Sequence, residues 1–511
     1  MIKLIDKFLN KITMYRIVLY SLIVLIGYSI ILSILGVLHY LPFAIVFSCL
    51  FILSISLATN KLLAFFYKAP TNAESVYITA LILALIISPI TSESTAEFFI
   101  FATSASILAM ATKYLFAINK KHIFNPVAIS VVLTGLFLSH SASWWIATLW
   151  MMRMVIISGL LITRKTQRFD LVLSFIFSSV LVIFFRYLVS SSSVAFLYSL
   201  SKAFISSPIL FFAFFMLTEP LTTPPKKGLR VIYGGIVGVL FSPIMHIGTL
   251  YSTPELALVI GNVFSYFVSP KEKLMLSLNK ISEIARDTYE FSFKTKKRFR
   301  FVPGQYMEFT LKDDLSDSRG NRRYFTLASS PTEDDISIGV KYYQNASSFK
   351  NKLAKISGAD VVVASQRSGE FVMPKDVNKK LVFIAGGIGI TPFRSMIKFL
   401  LDTKQKRDIV LFYSNKTKED IAYKEIFDMA NKELGIKTVY ALTNIGQVEN
   451  GFDTVNGFID KKLIVQNVPD YKERMYYISG PHSMVSIFKE TLSDIGIPRN
   501  HIKIDFFPGF A

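Results

Sequence analysis

The chain has 511 residues, 52% hydrophobic, 14% aromatic and 18% charged, with a formal net charge of +20. That is too apolar for a single soluble protein and too charged for a bundle lying wholly in lipid, so two parts of different character are expected. One cysteine, Cys49, excludes a disulfide framework and a cysteine-ligated iron–sulfur cluster, which needs four thiolates.

Up to about residue 270, apolar stretches recur with short polar interruptions, and several exceed the roughly 18 residues that cross a bilayer as helix. The first, IVLYSLIVLIGYSIILSILGVL, has no cleavage signal behind it and reads as a retained span. The texture predicts a polytopic helical bundle of about ten spans, starting near residues 15, 42, 75, 97, 126, 142, 171, 203, 231 and 255. Lys3, Lys7, Lys11 and Arg16 precede the first span, and basic residues then cluster in every second loop: Lys61 and Lys68, then Lys113, Lys120 and Lys121, then Arg164, Lys165 and Arg168, then Lys226, Lys227 and Arg230. Arg186 and Lys202 are the exceptions. Basic short loops mark the cytoplasmic side, so a multi-pass protein of the cell membrane is expected, with the N-terminus and everything after Lys271 cytoplasmic. The positive charge then reflects topology and contact with an anionic lipid bilayer, and with no basic-aromatic module no nucleic-acid partner is expected.

The boundary falls near Pro270, giving a membrane domain over residues 1–270. Over 271–375, the segments EIARDTYEFSFKT, PGQYMEFTL, RYFTLASS, DISIGVKYY and ADVVVAS read as strands of a small antiparallel β-barrel. Over 376–511, strands (KLVFIAG, DIVLFYSN, IKTVYAL, YYISG, IKIDFF) alternate with helices (TPFRSMIKFLL, YKEIFDMANKE, SMVSIFKETLSDIG). That predicts an α/β domain with a parallel sheet and a ligand at the strands' carboxyl ends.

Within it, IAGGIGITPF places Gly386, Gly387 and Gly389 between a strand and a helix, where bare backbone can approach a pyrophosphate. Glycine also serves plain turns, so the motif takes its meaning from its neighbours. FVPGQYMEF, RYFTLASSP, ASSFKNKL, AGGIGITPF, SGPHSM and IDFFPGF, in that order, resemble the ferredoxin-NADP reductase superfamily over roughly 273–511. The resemblance implies FAD and NAD(P)H as cofactor and substrate. It assigns Arg323 to the flavin diphosphate, Phe325 to packing on the flavin, Thr326 to the hydride-accepting nitrogen, and Ser347 and Ser348 to a phosphate-capping helix start. Gly386, Gly387, Gly389, Thr391 and Pro392 match the nicotinamide-nucleotide loop, and Gly480, Pro481 and Met484 a second one. Ser479 stands where the family often has cysteine. Asp505 and Phe507 take the positions of an acid and of an aromatic that covers the flavin. Thr326, Ser479, Asp505 and Phe507 are thus the catalytic candidates. Ser414, Lys416 and Lys418, with no acid at the strand tip, lean towards NADPH, although lysines in such a turn are also ordinary solvated charges.

In the membrane half, His39, His122, His140 and His246 do not pair on one helix as two stacked haems require, and no metal site is expected. AESVYITALILALIISP, KHIFNPVAISVVL, ITRKTQRFDLVLSF, FMLTEPLTTPP and PELALVIGN resemble the membrane subunits shared by the sodium-pumping NADH:quinone oxidoreductase and the Rnf complex. That family's ten spans form two halves of five, in opposite orientations. Asn125-Pro126 and Glu219-Pro220 are then breaks where a polar group faces a cofactor or ion. As bare sequence they are equally helix ends. The outward Ser-Gly-Ala-Thr type motif that carries covalent FMN in the family is missing, which leaves a second, non-covalent flavin or a quinone for the bundle.

The expectation is a membrane-bound, FAD-dependent NAD(P)H oxidoreductase passing electrons to a membrane quinone, bound flavin or docked electron-transfer partner. The competing readings are a reductase on an anchor or transporter that serves a soluble acceptor such as ferredoxin, and a haem-containing ferric-reductase type enzyme.

Overall fold

Two helices of the first half begin in the same way. Asn125 and Thr253 accept from the backbone amides of Ala128 and Leu256, and Pro126 and Pro254 follow at the first helical position, where a missing N–H costs nothing. The computed structural model describes residues 5, 8–9, 12–67, 73–118, 121–189, 196–205, 207–242, 246–247, 250–269, 273–295, 299–311, 321–344, 346–358, 360–444 and 454–505. The chain divides into two units, Met1–Lys271 and Glu272–Phe507.

In the first unit, Met14–Ile34, Pro42–Phe66, Thr95–Leu115 and Phe169–Val189 are long and apolar enough to cross a membrane. The pair Phe196–Ile205 and Ile209–Met216, bent by 61°, makes a fifth candidate if counted as one span. Ala73–Ile86, Pro126–Leu138 and Pro254–Val268 are shorter apolar helices, and Leu149–Thr166 and Lys227–Leu240 complete the described helices of this unit. The helix expected from about residue 142 instead begins at Leu149. The backbone amides of Ser143 and Trp144 donate to the Ile86 carbonyl and the Trp145 indole to that of Ala84, so residues 143–146 form a strap over the open end of Ala73–Ile86. Trp144 holds a left-handed backbone there, φ 53°.

Taken in order, with the bent pair as one, these segments pack in a repeating pattern. The first packs on the third, the second on the fourth and the fourth on the fifth within residues 14–138, and again within 149–268. The two first segments also pack together, as do the two fifth ones. Lys227–Leu240 approaches Phe169–Val189 closely because Gly234 and Gly238 lack side chains. A Cβ on Gly238 would lie 2.5 Å from the Phe175 carbonyl oxygen. Residues Phe212–Met216 form a π-helical turn just before Thr218-Glu219-Pro220.

The second unit holds two six-stranded sheets. The first is antiparallel, running across as strands 322–326, 306–310, 361–368, 274–285, 288–294 and 336–341. The stretch EIARDTYEFSFKT, expected as one strand, is a hairpin turning at Asp287, φ 52°. Alternate residues such as Phe291, Phe293, Met307, Phe309 and Val362 face its core.

The second sheet is parallel, running as strands 454–456, 437–442, 409–415, 381–386, 475–479 and 502–504. Strand 381–386 is buried throughout, as expected of a central strand covered on both faces. From it the chain leaves to one side, to 409–415, and later returns to the other, to 475–479. Its carboxyl end is therefore a topological switch point, where ligands of open α/β sheets bind.

Candidate functional site

At that switch point Gly386, Gly387 and Gly389 lead through a short 3-10 turn into helix Thr391–Thr403, with Pro392 in its first turn. Gly387 takes φ 51°. A Cβ on Gly386 would lie 2.2 Å from the Met484 sulfur, and one on Gly389 would lie 2.5 Å from the Ser479 carbonyl and 2.6 Å from the Gly480 Cα. The two expected nucleotide loops, 386–392 and 479–484, are therefore pressed together. Their glycines serve close approach as well as backbone freedom.

Three of the four catalytic candidates meet beside these loops. The Thr326 hydroxyl, at the end of an antiparallel strand, donates to Asp505 Oδ2 at 3.4 Å. The Ser479 hydroxyl, at the end of a parallel strand, donates to the same oxygen at 3.1 Å. Asp505 is held in turn by its own amide, bonded to the Ile478 carbonyl. Burial pushes the Asp505 carboxyl up from 3.8 to about 7, against the two hydroxyl bonds, which lower it. The site thus holds an acid that changes charge near neutrality. Phe507, the fourth candidate, lies outside the described residues.

Arg323, Phe325, Ser347 and Ser348 gather around Phe349. The Arg323 guanidinium lies 5.3 Å from the Phe349 ring centre, and Phe325 packs on Phe349 and Phe309. The Ser347 hydroxyl caps helix Ser348–Ala354. A buried guanidinium next to a hydroxyl-rich helix start is a donor set that fits a diphosphate, so these residues suit the FAD that the sequence implies.

The two sheets of this unit are joined by residues the sequence reading passed over. Arg394, on the nucleotide helix and 7% exposed, donates to the Ala328 carbonyl at 3.1 Å and binds Glu333 with both guanidinium arms. Ser395 donates to the Ser329 carbonyl at 2.6 Å. A Cβ on Gly339 would lie 2.8 Å from the Thr391 methyl and 2.9 Å from the Ile388 side-chain end. The LASSP segment therefore serves as the seat of the nucleotide helix, two or three residues from Thr326. Arg394→Ala leaves Glu333 largely buried without its cation and is expected to destabilise this unit by about 3 kcal/mol, with Arg394→Lys recovering less than half, read from urea midpoints. The signal was present in the sequence as an arginine on the buried face of an amphipathic helix, where a charge requires a partner.

In the membrane half the two candidates, predicted separately, touch. The Asn125 side-chain amide donates to Glu219 Oε2 at 2.9 Å while its carbonyl oxygen caps helix Pro126–Leu138. The Thr222 hydroxyl donates to the same Oε2 at 3.1 Å, and His122 Nε2 lies 3.2 Å from Oε1. The Asn125 backbone amide donates to Asn262 Oδ1 at 2.8 Å, and the Asn262 amide reaches the Tyr233 hydroxyl at 3.0 Å. Elsewhere in this unit, Glu255, in the first turn of helix Pro254–Val268, accepts from the Trp144 indole at 2.8 Å. His122, weighed only as a haem ligand, and Asn262, inside PELALVIGN, were missed because Glu219 and Asn125, which they meet, lie far away in sequence. No group of three or more His, Cys, Asp or Glu that could hold a metal is found among the described residues.

Two family models match separate stretches of the chain. Residues 147–272 match the family model described as NQR2, RnfD, RnfE family, and residues 383–490 that of the oxidoreductase NAD-binding domain. A flavohemoprotein of Bacillus thuringiensis subsp. konkukian is 26% identical over 216 residues, covering 40% of this chain and 53% of that protein. One of the subunits of the Na(+)-translocating NADH-quinone reductase of Methylococcus capsulatus is 36% identical over 155 residues, covering 29% of this chain and 38% of that protein. Among solved structures, the flavohem-like FAD/NAD binding domain of a nitric oxide dioxygenase from Vibrio cholerae is similar with a TM-score of 0.40 and 15% identity, over 46% of this chain and 98% of that one. The chain spans about half the length of the curated flavohemoproteins it matches first, 53% in the case above.

Proposed function

We propose that the chain is a membrane-bound NAD(P)H oxidoreductase in which NAD(P)H gives a hydride to FAD in the second unit and electrons pass to an acceptor in the membrane half, a quinone or a second, non-covalent flavin. The observation that carries this is the meeting of Thr326, Ser479 and Asp505 in front of two glycine loops at a topological switch point. Bound FAD supplies hydride acceptance and one-electron release.

The chain's own residues supply position and charge. Arg323 and the Ser347–Ser348 helix start hold the flavin diphosphate, with Phe325 on the apolar side. The backbone of 386–391 and the start of helix Thr391–Thr403 hold the nucleotide pyrophosphate, with Gly480, Pro481 and Met484 closing the other side. Thr326 and Ser479 offer hydroxyls where hydride leaves and arrives, Asp505 holds or yields a proton behind them, and Phe507 covers the flavin. In this reading residues 271–375 are the flavin domain, built as a barrel, and 376–511 the nucleotide domain. Residues 1–270 are ten spans of a cell-membrane protein with both termini cytoplasmic, and Asn125 and Glu219 line the membrane site. An electron-transfer partner protein can dock in place of a bound acceptor.

The test is a spectrum of the purified full-length protein, with extracted flavin counted per chain, followed by NAD(P)H oxidation with ferricyanide and then with a short-chain ubiquinone. FAD in every chain and activity with both acceptors is the expected result. A haem band, or no flavin, overturns the reading.

A further inference from the structure

Quinone reduction needs protons as well as electrons, so some group in the membrane half has to hand them on. Among the described residues of that half the acids are Glu74, Glu93, Glu97, Asp170, Glu219 and Glu255. Glu74 and Asp170 are each tied to a fixed cation, the guanidinium groups of Arg16 at 2.7 Å and Arg230 at 2.9 Å. Glu93 and Glu97 are exposed in and beside a loop, and Glu255 is 4% exposed with a tryptophan as donor. Glu219 alone is both partly accessible, with 21% of its side chain exposed, and held by groups that tolerate either charge state: an imidazole, an amide and a hydroxyl. His122, 13% exposed, touches its other oxygen.

Among the described residues, few charged and titratable groups face the pair. The Lys113 ammonium, bound to Ser75 and Thr79, acts on Glu219 from helix Thr95–Leu115. Arg168 reaches it through Thr223, whose hydroxyl bonds the Glu219 carbonyl, and the Tyr233 hydroxyl lies behind Asn262. None of them is bonded directly to the carboxylate in a way that would pin it as an ion.

We propose that Glu219 and His122 form a proton relay serving reduction of a quinone in the membrane half. This rests on the oxidoreductase reading above. Per turnover the nucleotide gives up a hydride, whose two electrons travel on and whose proton is released to water. The quinone takes those two electrons and two protons, forming two O–H bonds. Both protons arrive through Glu219 in succession: each leaves as the Glu219 O–H bond breaks, the carboxylate then takes a proton from the His122 imidazolium, and the imidazole refills from solvent, which has also received the hydride's proton.

The test compares the full-length wild type with Glu219→Gln, Glu219→Asp and His122→Gln, offering NADH and NADPH with either ferricyanide or a short-chain ubiquinone. Glutamine keeps an acceptor for Asn125 but has no dissociable proton to pass on. Glu219→Gln is expected to slow quinone reduction about tenfold or more while ferricyanide reduction stays within about twofold. Added formate, a small diffusible acid, restores much of the loss, Glu219→Asp keeps most of the rate, and a pH-dependent infrared carboxyl band recorded without nucleotide disappears in Glu219→Gln. Quinone reduction at the wild-type rate in Glu219→Gln overturns the relay. So does a slow Glu219→Gln that formate leaves slow, since that marks a structural tie. If the wild type reduces ferricyanide but no quinone, the quinone as acceptor fails and the relay with it, while hydride transfer stands.

Discussion

Gly389→Ala is expected to lower NAD(P)H oxidation by about a hundredfold or more while the protein keeps its FAD. The added methyl meets the Ser479 carbonyl at 2.5 Å and the Gly480 Cα at 2.6 Å. Both are backbone atoms of the neighbouring loop and cannot swing aside, so the two nucleotide loops have to part by several tenths of an ångström. A misplacement of about 1 Å at a reacting centre costs on the order of a hundredfold in rate. The residues proposed to hold the flavin lie away from these loops, Arg323 on the antiparallel sheet and Ser347 and Ser348 at a helix start, so extracted flavin per chain should not change. Gly387→Ala is the internal control. Nothing lies within 4 Å of its Cβ, and only its φ of 51° resists, so about 1 kcal/mol of stability is lost and the activity is largely kept. Steady-state ferricyanide assays on the two variants, with flavin counted in each, separate loop approach from loop conformation.

Asp505→Asn is expected to remove a break near pH 7 from the pH dependence of nucleotide oxidation and to lower the rate about a hundredfold. Thr326 and Ser479 both donate to the one carboxylate oxygen, so the charge of Asp505 sets how firmly both hydroxyls are held. The same group sets a pH dependence of stability. Its value is about 7 in the folded protein against an ordinary 3.8, so between these limits the folded state binds a proton that the unfolded state has lost. Stability is therefore fully present below about pH 4 and falls as pH rises through about 7, by about 1.4 kcal/mol per pH unit and about 4 kcal/mol in all. Asp505→Asn lacks this fall. Urea midpoints of both proteins across that range, measured at a fixed nucleotide concentration, give the difference directly, and parallel curves would show that Asp505 stays ionised when folded.

Much of this was legible in order and spacing. The glycine loop, its helix and the strands around it are local signals, because a strand, a turn and a helix each write their period into neighbouring residues. Thr326, Ser479 and Asp505 could be named from motif order, but their sharing of one oxygen could not, since it depends on two sheets meeting. Arg394 and Glu333 escaped for the same reason. In the membrane half, Asn125 and Glu219 were visible as polar residues beside prolines in apolar surroundings. Their contact, with His122 and Asn262, was not, because helices far apart in sequence bring them together. Residues 143–148 were misread as the start of a helix, since apolar composition does not distinguish a span from a strap that caps one.

The repeating packing of the helical half also sets an order in time. The open carbonyls at the end of Ala73–Ile86 find their donors only when residues 143–145 have been made. Asn125 meets its partners only after Glu219 and Asn262 have left the ribosome. At the roughly 5–20 residues per second of synthesis, the first five helices wait several seconds with polar groups unanswered. A chain halted between the halves would hold the same unfinished surfaces. Its best available partner would be a second halted chain, because each half packs its first and fifth helices against their counterparts in the other.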